Sequence, residues 1–435
     1  MDWQDKLSDR EMLTHYLSGI VQKHTKILLC IALGITPILT SLAHAQTDLA
    51  RADFDGNRQI DFQDFLAFAV AFGKTSSEEG FDSKMDFNGD NTVNFQDFLA
   101  FVAAFGQSVE LKDLADYPVG VSLQTKYLTD DARVSIVKRT FSSITGGWEM
   151  KPKPISTGPG TYDWRRADAL VDFAEANNMQ VHGHTLLWHN TVPAWLENFS
   201  GDNAAFEAAI KEYITTVVQR YRGRVVSWDV VNEGIDGRGK VRDNLFSQRM
   251  GNDYIARMFQ YAREADPDVL LFYNDYGTSQ PWARAKRAGM LNMLDDFQTR
   301  GIPIDGVGLQ MHISYNSPDI SAIRETIDEI IRRGLKLHIS ELDIRINPDG
   351  DLSEPTQARL ELQKKRVIEI VTAFHQVPEA QRFGITIWGI ADPDTWLIQA
   401  GRSQGRPEWP LLFDDHLQPK PAYDGFVEAL QNRGH

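Results

Sequence analysis

Residues 225–234 read VVSWDVVNEG, and the fold turns on them. Val225, Val226, Trp228, Val230 and Val231 form a short apolar run closed by Gly234, which marks a buried strand. A strand built for an interior nonetheless finishes on Asn232 and Glu233. Similar runs recur on both sides. They are YPVGVSL (117–123), RTFSSITGGWEM (139–150), QVHGHTLLWH (180–189), VLLFYNDYG (269–277), DGVGLQMHIS (305–314), LKLHISELDI (335–344) and FGITIWGI (383–390). Amphipathic stretches such as WRRADALVDFAEANN and ISAIRETIDEIIRRG separate them. Strands alternating with helices in this number predict an α/β fold, a closed (β/α)8 TIM barrel. An open doubly wound sheet is the alternative, but no Gly-rich phosphate-binding turn follows the first strand.

In such a barrel the active site lies at the C-terminal ends of the strands. Glu233 ends the fourth strand, and Glu341, in HISELDIR, ends the seventh. His184, Trp188, His189, Asn232, Asn274, Asp275, Gln310, His312 and Trp388 also fall at strand ends, while the strand middles read as apolar. One buried glutamate is ordinarily half of an ion pair. Two, facing each other across a barrel mouth among His, Asn, Gln and Trp, read as a catalytic pair. Paired carboxylates suit glycoside hydrolysis: a protonated one donates to the leaving oxygen, and an ionised one attacks the anomeric carbon or activates water. Trp188, Trp388 and Trp396 could stack on sugar faces, and each could equally be core.

At these residues the chain resembles the family 10 glycoside hydrolases, endo-1,4-β-xylanases of retaining mechanism. GHTLLWH, WDVVNE, NDY, GLQMHIS, ISELDI, TIWGIADPDTW and the closing PLLFDDHLQPKPAY occur in that family's order, from about residue 113 to the C-terminus. The resemblance implies Glu233 as acid/base and Glu341 as nucleophile. It implies that Asn232 bonds the 2-hydroxyl of the sugar being cleaved, and that His312, oriented by Asp343, bonds the nucleophile. Lys151, His184, Trp188, Gln310, Trp388 and Trp396 would line the glycone side. Xylan or a related β-1,4-linked polysaccharide is the implied substrate, and no cofactor is implied for catalysis. Another retaining β-glycanase and a non-catalytic glycan-binding protein are the competing readings. One stretch departs from the family: where Pro-Glu-Asn usually precedes EMK, this chain has Gly146-Gly147-Trp148. An indole there would replace two hydrogen-bonding side chains at a distal glycone sugar, unless Trp148 turns into the barrel wall.

The region before the barrel holds an internal repeat. DFDGNRQIDFQD (53–64) returns as DFNGDNTVNFQD (86–97), and FQDFLAFAVAFG as FQDFLAFVAAFG. Calcium takes oxygen ligands at alternating loop positions. Asp53, Asp55, Asn57, Gln59, Asp61 and Asp64 occupy positions 1, 3, 5, 7, 9 and 12 of the first loop. Asp86, Asn88, Asp90, Thr92, Asn94 and Asp97 occupy them in the second, with the position-7 residues contributing backbone carbonyls. Ile60 and Val93, at position 8, would face a small shared core. The loops resemble EF-hand or dockerin-type calcium loops, so residues 46–110 are expected to form a small α-helical EF-hand-like module binding Ca2+. Such a module could dock to a cell-surface or scaffold protein. Position 6 is Arg58 or Asn91 instead of Gly, and position 12 is Asp instead of Glu. The stretch Gly73–Lys84 reads as a polar linker between the repeats. The alternative is a pair of polar turns without an ion.

Residues 1–45 read as a signal-peptide region. Lys23 and Lys26 flank an apolar segment from Ile27, and Ala43-His44-Ala45 fits a cleavage site. The expectation is a secreted or cell-surface protein with residues 111–435 as the catalytic domain. The segment is short for a membrane anchor and contains Pro37. Cleavage near Ala45 would remove Cys30, the one cysteine of the 435 residues. The formal net charge of -15 argues against a nucleic-acid partner, whose phosphates require a basic face.

Overall fold

The computed structural model describes residues 49–399 and 401–432. The expected signal peptide, with Cys30 and the Ala45 cleavage site, lies outside them. The chain divides into two compact units between Val109 and Glu110. Among the described residues no helix is long and apolar enough to cross a membrane.

The larger unit is a closed barrel of parallel strands. They are β1 (Val119–Leu123), β2 (Ser143–Gly146), β3 (Gln180–Trp188), β4 (Ser227–Asn232), β5 (Leu270–Asp275), β6 (Gly306–Leu309), β7 (Lys336–Arg345) and β8 (Arg382–Ile387). Each pairs with the next, and β8 pairs back onto β1 through Val119–Ile385 and Val121–Ile387. The β3–β4 register sets Trp188 opposite Asn232, and the β4–β5 register sets Asn232 opposite Asn274. These registers bring the polar strand ends to one rim. Buried Val, Ile, Leu and aromatic side chains from strands and outer helices form one continuous core. Steric fit fixes one neighbour pair: a Cβ on Gly183 of β3 would run into the Trp228 ring of β4.

The structure alters the strand assignments in three places. Arg139 and Thr140 end the helix Asp131–Thr140, so β2 begins at Ser143. The sixth run breaks at Gln310–Met311, where Met311 takes a φ of 58°, and resumes as a short strand His312–Ser314 on β7. The eighth ends at Ile387, leaving Trp388 just past the strand, buried against His184 and His312. The expectation of apolar strand middles also fails. Ser227 and Asp229 alternate with Trp228 and Val230 along β4, and His182 and His338 are buried beside them. The barrel interior therefore carries a polar layer beneath the site, and every such group needs a partner.

The smaller unit contains the helices Phe62–Ala71 and Phe95–Ala104. Asp61 and Asn94 cap them, and Asp64 and Asp97 complete capping boxes. Ile60 and Val93 are fully buried, and Phe68 stacks on Phe101 at 5.3 Å. The Ile60 backbone pairs with Gly106 and Gln107 after the second helix, and Val93 pairs with Gly73 and Lys74 after the first. Each loop is thus held by the chain leaving the other repeat's helix. No helix enters the second loop, so this repeat is loop-then-helix instead of the helix-loop-helix of an EF-hand. The expected linker is part of the fold, since Thr75 bridges Thr92.

Candidate active site

Glu233 follows β4 directly, in the left-handed region at φ 57°. Its N–H donates to the Asn274 carbonyl at 2.9 Å, and its own carbonyl accepts from Arg242 Nε at 2.9 Å. These bonds turn the carboxylate over the barrel mouth. Glu341 sits within β7, buried, with Asn274 Nδ2 donating to Oε1 at 2.8 Å.

A continuous set of amides joins the two. Gln310 Nε2 lies 3.4 Å from Glu233 Oε1 and donates to Asn232 Oδ1 at 3.0 Å. Asn274 Nδ2 also donates to Asn232 Oδ1 at 3.0 Å and so reaches Glu341. Ser340 Oγ donates to Asn274 Oδ1 at 2.6 Å, which fixes the orientation of that amide. Asn274 and Ser340 thus hold the centre together. Asn274 was readable as a strand-end polar residue. Ser340 carried no signal beyond its place one residue before Glu341.

The surroundings of the two glutamates differ. Burial pushes the Glu233 carboxyl above its ordinary range, and the charges of Asp275 and Glu341 push the same way. Burial also acts on Glu341, but the hydrogen bond from His312 and the positive charges of His184, His312 and Lys151 outweigh it and hold the carboxyl low. His312 Nε2 is 3.1 Å from Glu341 Oε2, and its Nδ1 is 2.7 Å from Asp343 Oδ2. Burial opposes the imidazolium, yet Asp343 and Glu341 together raise His312 to about 10. The two carboxylates thus favour the doubly protonated ring, the form that can donate to both of them. Trp396 Nε1 also donates to Asp343 Oδ2, at 2.8 Å.

The remaining expected residues gather around the two glutamates. His184 stacks edge-on to Trp388 at 5.4 Å, and its Nδ1 meets Asp229 Oδ2 at 2.8 Å. Lys151 is buried with Nζ 4.7 Å over the Trp188 ring, and that burial pulls its pKa down against the charges of Glu341 and Glu233. Trp148 stands apart from this cluster. It follows β2 in a turn closed by Lys151 N–H donating to the Trp148 carbonyl at 3.1 Å, and its side chain is exposed. Glu149 anchors that turn by accepting from Thr125 N–H and Oγ–H, both at 2.8 Å.

Sequence reasoning passed over one buried carboxylate, Asp229, and named a second, Asp275, only as a strand-end residue without its partner. Asp229 lies between His184 and His182, the latter 3.1 Å away through Nε2. Asp275 is paired with the fully buried Lys286 at 2.6 Å and accepts from Tyr273 OH at 2.6 Å. Both were visible as charges inside apolar runs, which only a partner makes tolerable.

In the smaller unit, carboxylate oxygens of Asp53, Asp55 and Asp64 lie within 4.8 Å of one another, as do those of Asp86, Asp90 and Asp97. Asn57, Asn88, Asp61 and Asn94 stay at the loops, where each accepts from a backbone N–H or donates to a loop carboxylate. The Gln59 side chain points instead to Ser108. Asp64 accepts from the N–H groups of Phe54 and Asp61, and Asp97 from those of Asn88 and Asn94.

A closed (β/α)8 barrel with one protonation-prone and one ionised glutamate at its mouth defines a glycosidase-type site. The glycosyl hydrolase family 10 model matches residues 110–429, and the chain belongs to that family. It is 41% identical over 349 residues to endo-β-1,4-xylanase Xyn10C of Cellvibrio japonicus, a match covering 74% of this chain and 57% of that relative. It is 35% identical over 317 residues to endo-1,4-β-xylanase B of Paenibacillus barcinonensis, covering 71% of this chain and 93% of the relative. Native xylanase 10C from Cellvibrio japonicus superposes with a TM-score of 0.72 at 40% identity, covering 75% of this chain and 73% of that one. A mutant of the same enzyme in complex with xylopentaose gives 0.71 at 39% identity, with 76% and 71% covered.

Proposed function

We propose that the barrel is a retaining endo-1,4-β-xylanase in which Glu341 is the nucleophile and Glu233 the acid/base. The observation that carries this is the pair of glutamates joined through the Gln310, Asn232 and Asn274 amides, with His312 bonded to Glu341, an arrangement that biases Glu233 toward its acid form and Glu341 toward its carboxylate. Glu341 attacks the anomeric carbon as Glu233 protonates the leaving oxygen. Glu233, now ionised, then takes a proton from the water that releases the sugar. Asn232, tied to both Asn274 and Gln310, is placed to bond the hydroxyl beside the reacting carbon. His312, held by Asp343, keeps Glu341 ionised and aimed. His184, Lys151, Trp188, Gln310, Trp388 and Trp396 form the glycone side. The test is an NMR time course on xylo-oligosaccharides with the full protein. The β-anomer formed first is expected; the α-anomer first, or no release of reducing sugar from xylan, would refute the reading.

Trp148 supports a relaxed distal glycone site. Its exposed indole follows the β2 rim, three residues before Lys151. Stacking accepts a sugar face without reading its hydroxyl pattern. Trp148→Ala should lower kcat/KM several-fold on substrates long enough to reach it, whether unsubstituted or branched, and leave short ones unchanged. Equal losses on both would assign Trp148 to structure alone.

The domain limits 46–110 and 111–435 and export through residues 1–45 belong to the same proposal. So does one calcium ion in each acidic loop. Supporting the ion are the convergent carboxylates and the left-handed backbone at Gly56, Arg58, Gly89 and Asn91, which curls each loop around its acids. Burial raises the Asp53 pKa, and Asp64 and Asp55 add repulsion that a cation would relieve. Phe62, Leu66 and Phe72, with their repeat counterparts Phe95, Leu99 and Phe105, are exposed. These six side chains support docking to a cell-surface or scaffold protein. Calorimetry on the full chain should show two calcium ions bound, and Asp53→Ala with Asp86→Ala should remove both. Xylan hydrolysis should persist in chelator, since no group at the barrel mouth depends on the ion.

A further inference from the structure

Arg242 lies nine residues after Glu233, and the chain between them folds into a hairpin that returns to its own start. Ile235 and Val241 form an antiparallel bridge. Asp236 makes the turn. Its carbonyl accepts from Gly239 N–H at 3.0 Å, and its N–H donates to the Lys240 carbonyl at 2.8 Å. Its Oδ1 accepts from the N–H groups of Arg238 and Lys240 at 2.9 and 3.0 Å. The tip is seated on the helix Arg284–Arg300, where a Cβ on Gly239 would run into the Ala285 carbonyl. The hairpin is thus fixed at both ends, and its second arm delivers Arg242 back to the acid.

There Arg242 takes every carbonyl of the turn that carries Glu233. Its Nε donates to the Glu233 carbonyl at 2.9 Å, its N–H to that of Gly234 at 2.8 Å, and its Nη2 to that of Ile235 at 3.3 Å. The N–H groups are met from β5: Glu233 N–H by the Asn274 carbonyl and Ile235 N–H by the Tyr273 hydroxyl, both at 2.9 Å. Gly234 lets the turn lie close on the helix Tyr254–Ala265, since a Cβ there would come within 2.8 Å of Ile255 Cδ1. Glu233 itself is held left-handed, a conformation that a glutamate keeps only when its surroundings impose it. The two side-chain bonds of Arg242 go to backbone. By charge alone a cation beside Glu233 would favour the ionised form, the wrong one for giving up a proton, so the guanidinium serves the acid through direction.

We propose that Arg242 is the positioning residue of the acid: by gripping the carbonyls of its left-handed turn it aims the Glu233 carboxyl at the leaving oxygen, without itself touching the substrate. The inference rests on the xylan-cleaving reading above. It makes the hairpin 234–242 a brace whose work is confined to the proton-transfer step.

The test measures kcat/KM for wild type, Arg242→Met, Arg242→Lys, Glu233→Ala and the double variant Glu233→Ala with Arg242→Met. The substrates are xylohexaose, whose leaving sugar needs the proton, and an aryl xylobioside whose leaving group departs as a stable anion. Arg242→Met should lose roughly tenfold more on xylohexaose than on the aryl substrate, the scale of a misdirected general acid. In the Glu233→Ala background the same change should add less than about twofold on xylohexaose, because the group it positions is gone. Arg242→Lys, which can reach one carbonyl, should show the same preference to a smaller degree, and it decides the matter if the methionine variant does not fold. A variant that treats both substrates alike overturns the proposal. So does a full loss that persists in the Glu233→Ala background, which would put Arg242 on the substrate or in the general framework of the barrel mouth. A wild-type protein that leaves xylohexaose intact refutes the xylanase reading itself, a result distinct from these.

Discussion

Replacing Glu341 by alanine is expected to lower kcat on xylan by on the order of 10^5-fold, with the fold retained. The size follows from the chemistry. The covalent intermediate splits one difficult displacement into two easier ones, and without an acceptor neither half proceeds. The fold should survive because Glu341 is held by partners that keep other bonds. His312 retains Asp343, and Asn274 retains Asn232 and Ser340. The released space also gives a sharper readout. Azide, a small anionic nucleophile, should fit where the carboxylate was and attack an aryl xylobioside from the same face. The product would be the glycosyl azide of inverted configuration. A variant within tenfold of wild type on xylan would remove Glu341 from the reaction.

Glu233→Ala should cost roughly 10^2–10^4-fold on xylan, the usual contribution of a positioned general acid. On an aryl substrate whose leaving group departs as a stable anion, formation of the intermediate needs little protonation, so that loss should shrink sharply. The pH profile supplies an independent check. Glu233 must be protonated to act, and its pKa is raised, so the wild-type rate falls as pH rises through that value. Glu341 must be ionised, and its pKa is depressed, so the rate falls as pH drops through its value. Glu233→Gln should abolish the alkaline limb on the activated substrate and leave the acid limb in place. If the alkaline limb stays unchanged in the variant, the acid is another group.

The barrel was legible because its strands are largely apolar runs that stop at polar residues, a pattern local enough to survive without tertiary information even where Asp229 or His338 interrupts it. Glu233 was legible for the same reason, as a carboxylate ending such a run; Glu341 was legible as a carboxylate in an apolar run, but it lies within β7 instead of at its end, because the strand continues through Leu342–Arg345. What escaped depends on pairs distant in the chain. Asp229 reads as an oddity until His182 and His184 arrive from β3, and Asp275 until Lys286 arrives from the following helix. The break at Met311 was hidden because strand propensity continues through GLQMHIS, and only the rim geometry requires a left-handed residue there. In the repeats the spacing of the acidic residues was plain. The absence of an entering helix before the second loop was not, because the polar segment Gly73–Lys84 reads equally well as a tether or as a packed turn.

Glu233 holds a backbone conformation that costs a non-glycine residue roughly 1 kcal/mol or more. Glycine at this position would relieve that cost while removing the acid. At this one position, stability and the acid therefore pull in opposite directions. A screen for heat resistance alone would select the same loss, so directed evolution of this protein has to score turnover in every round.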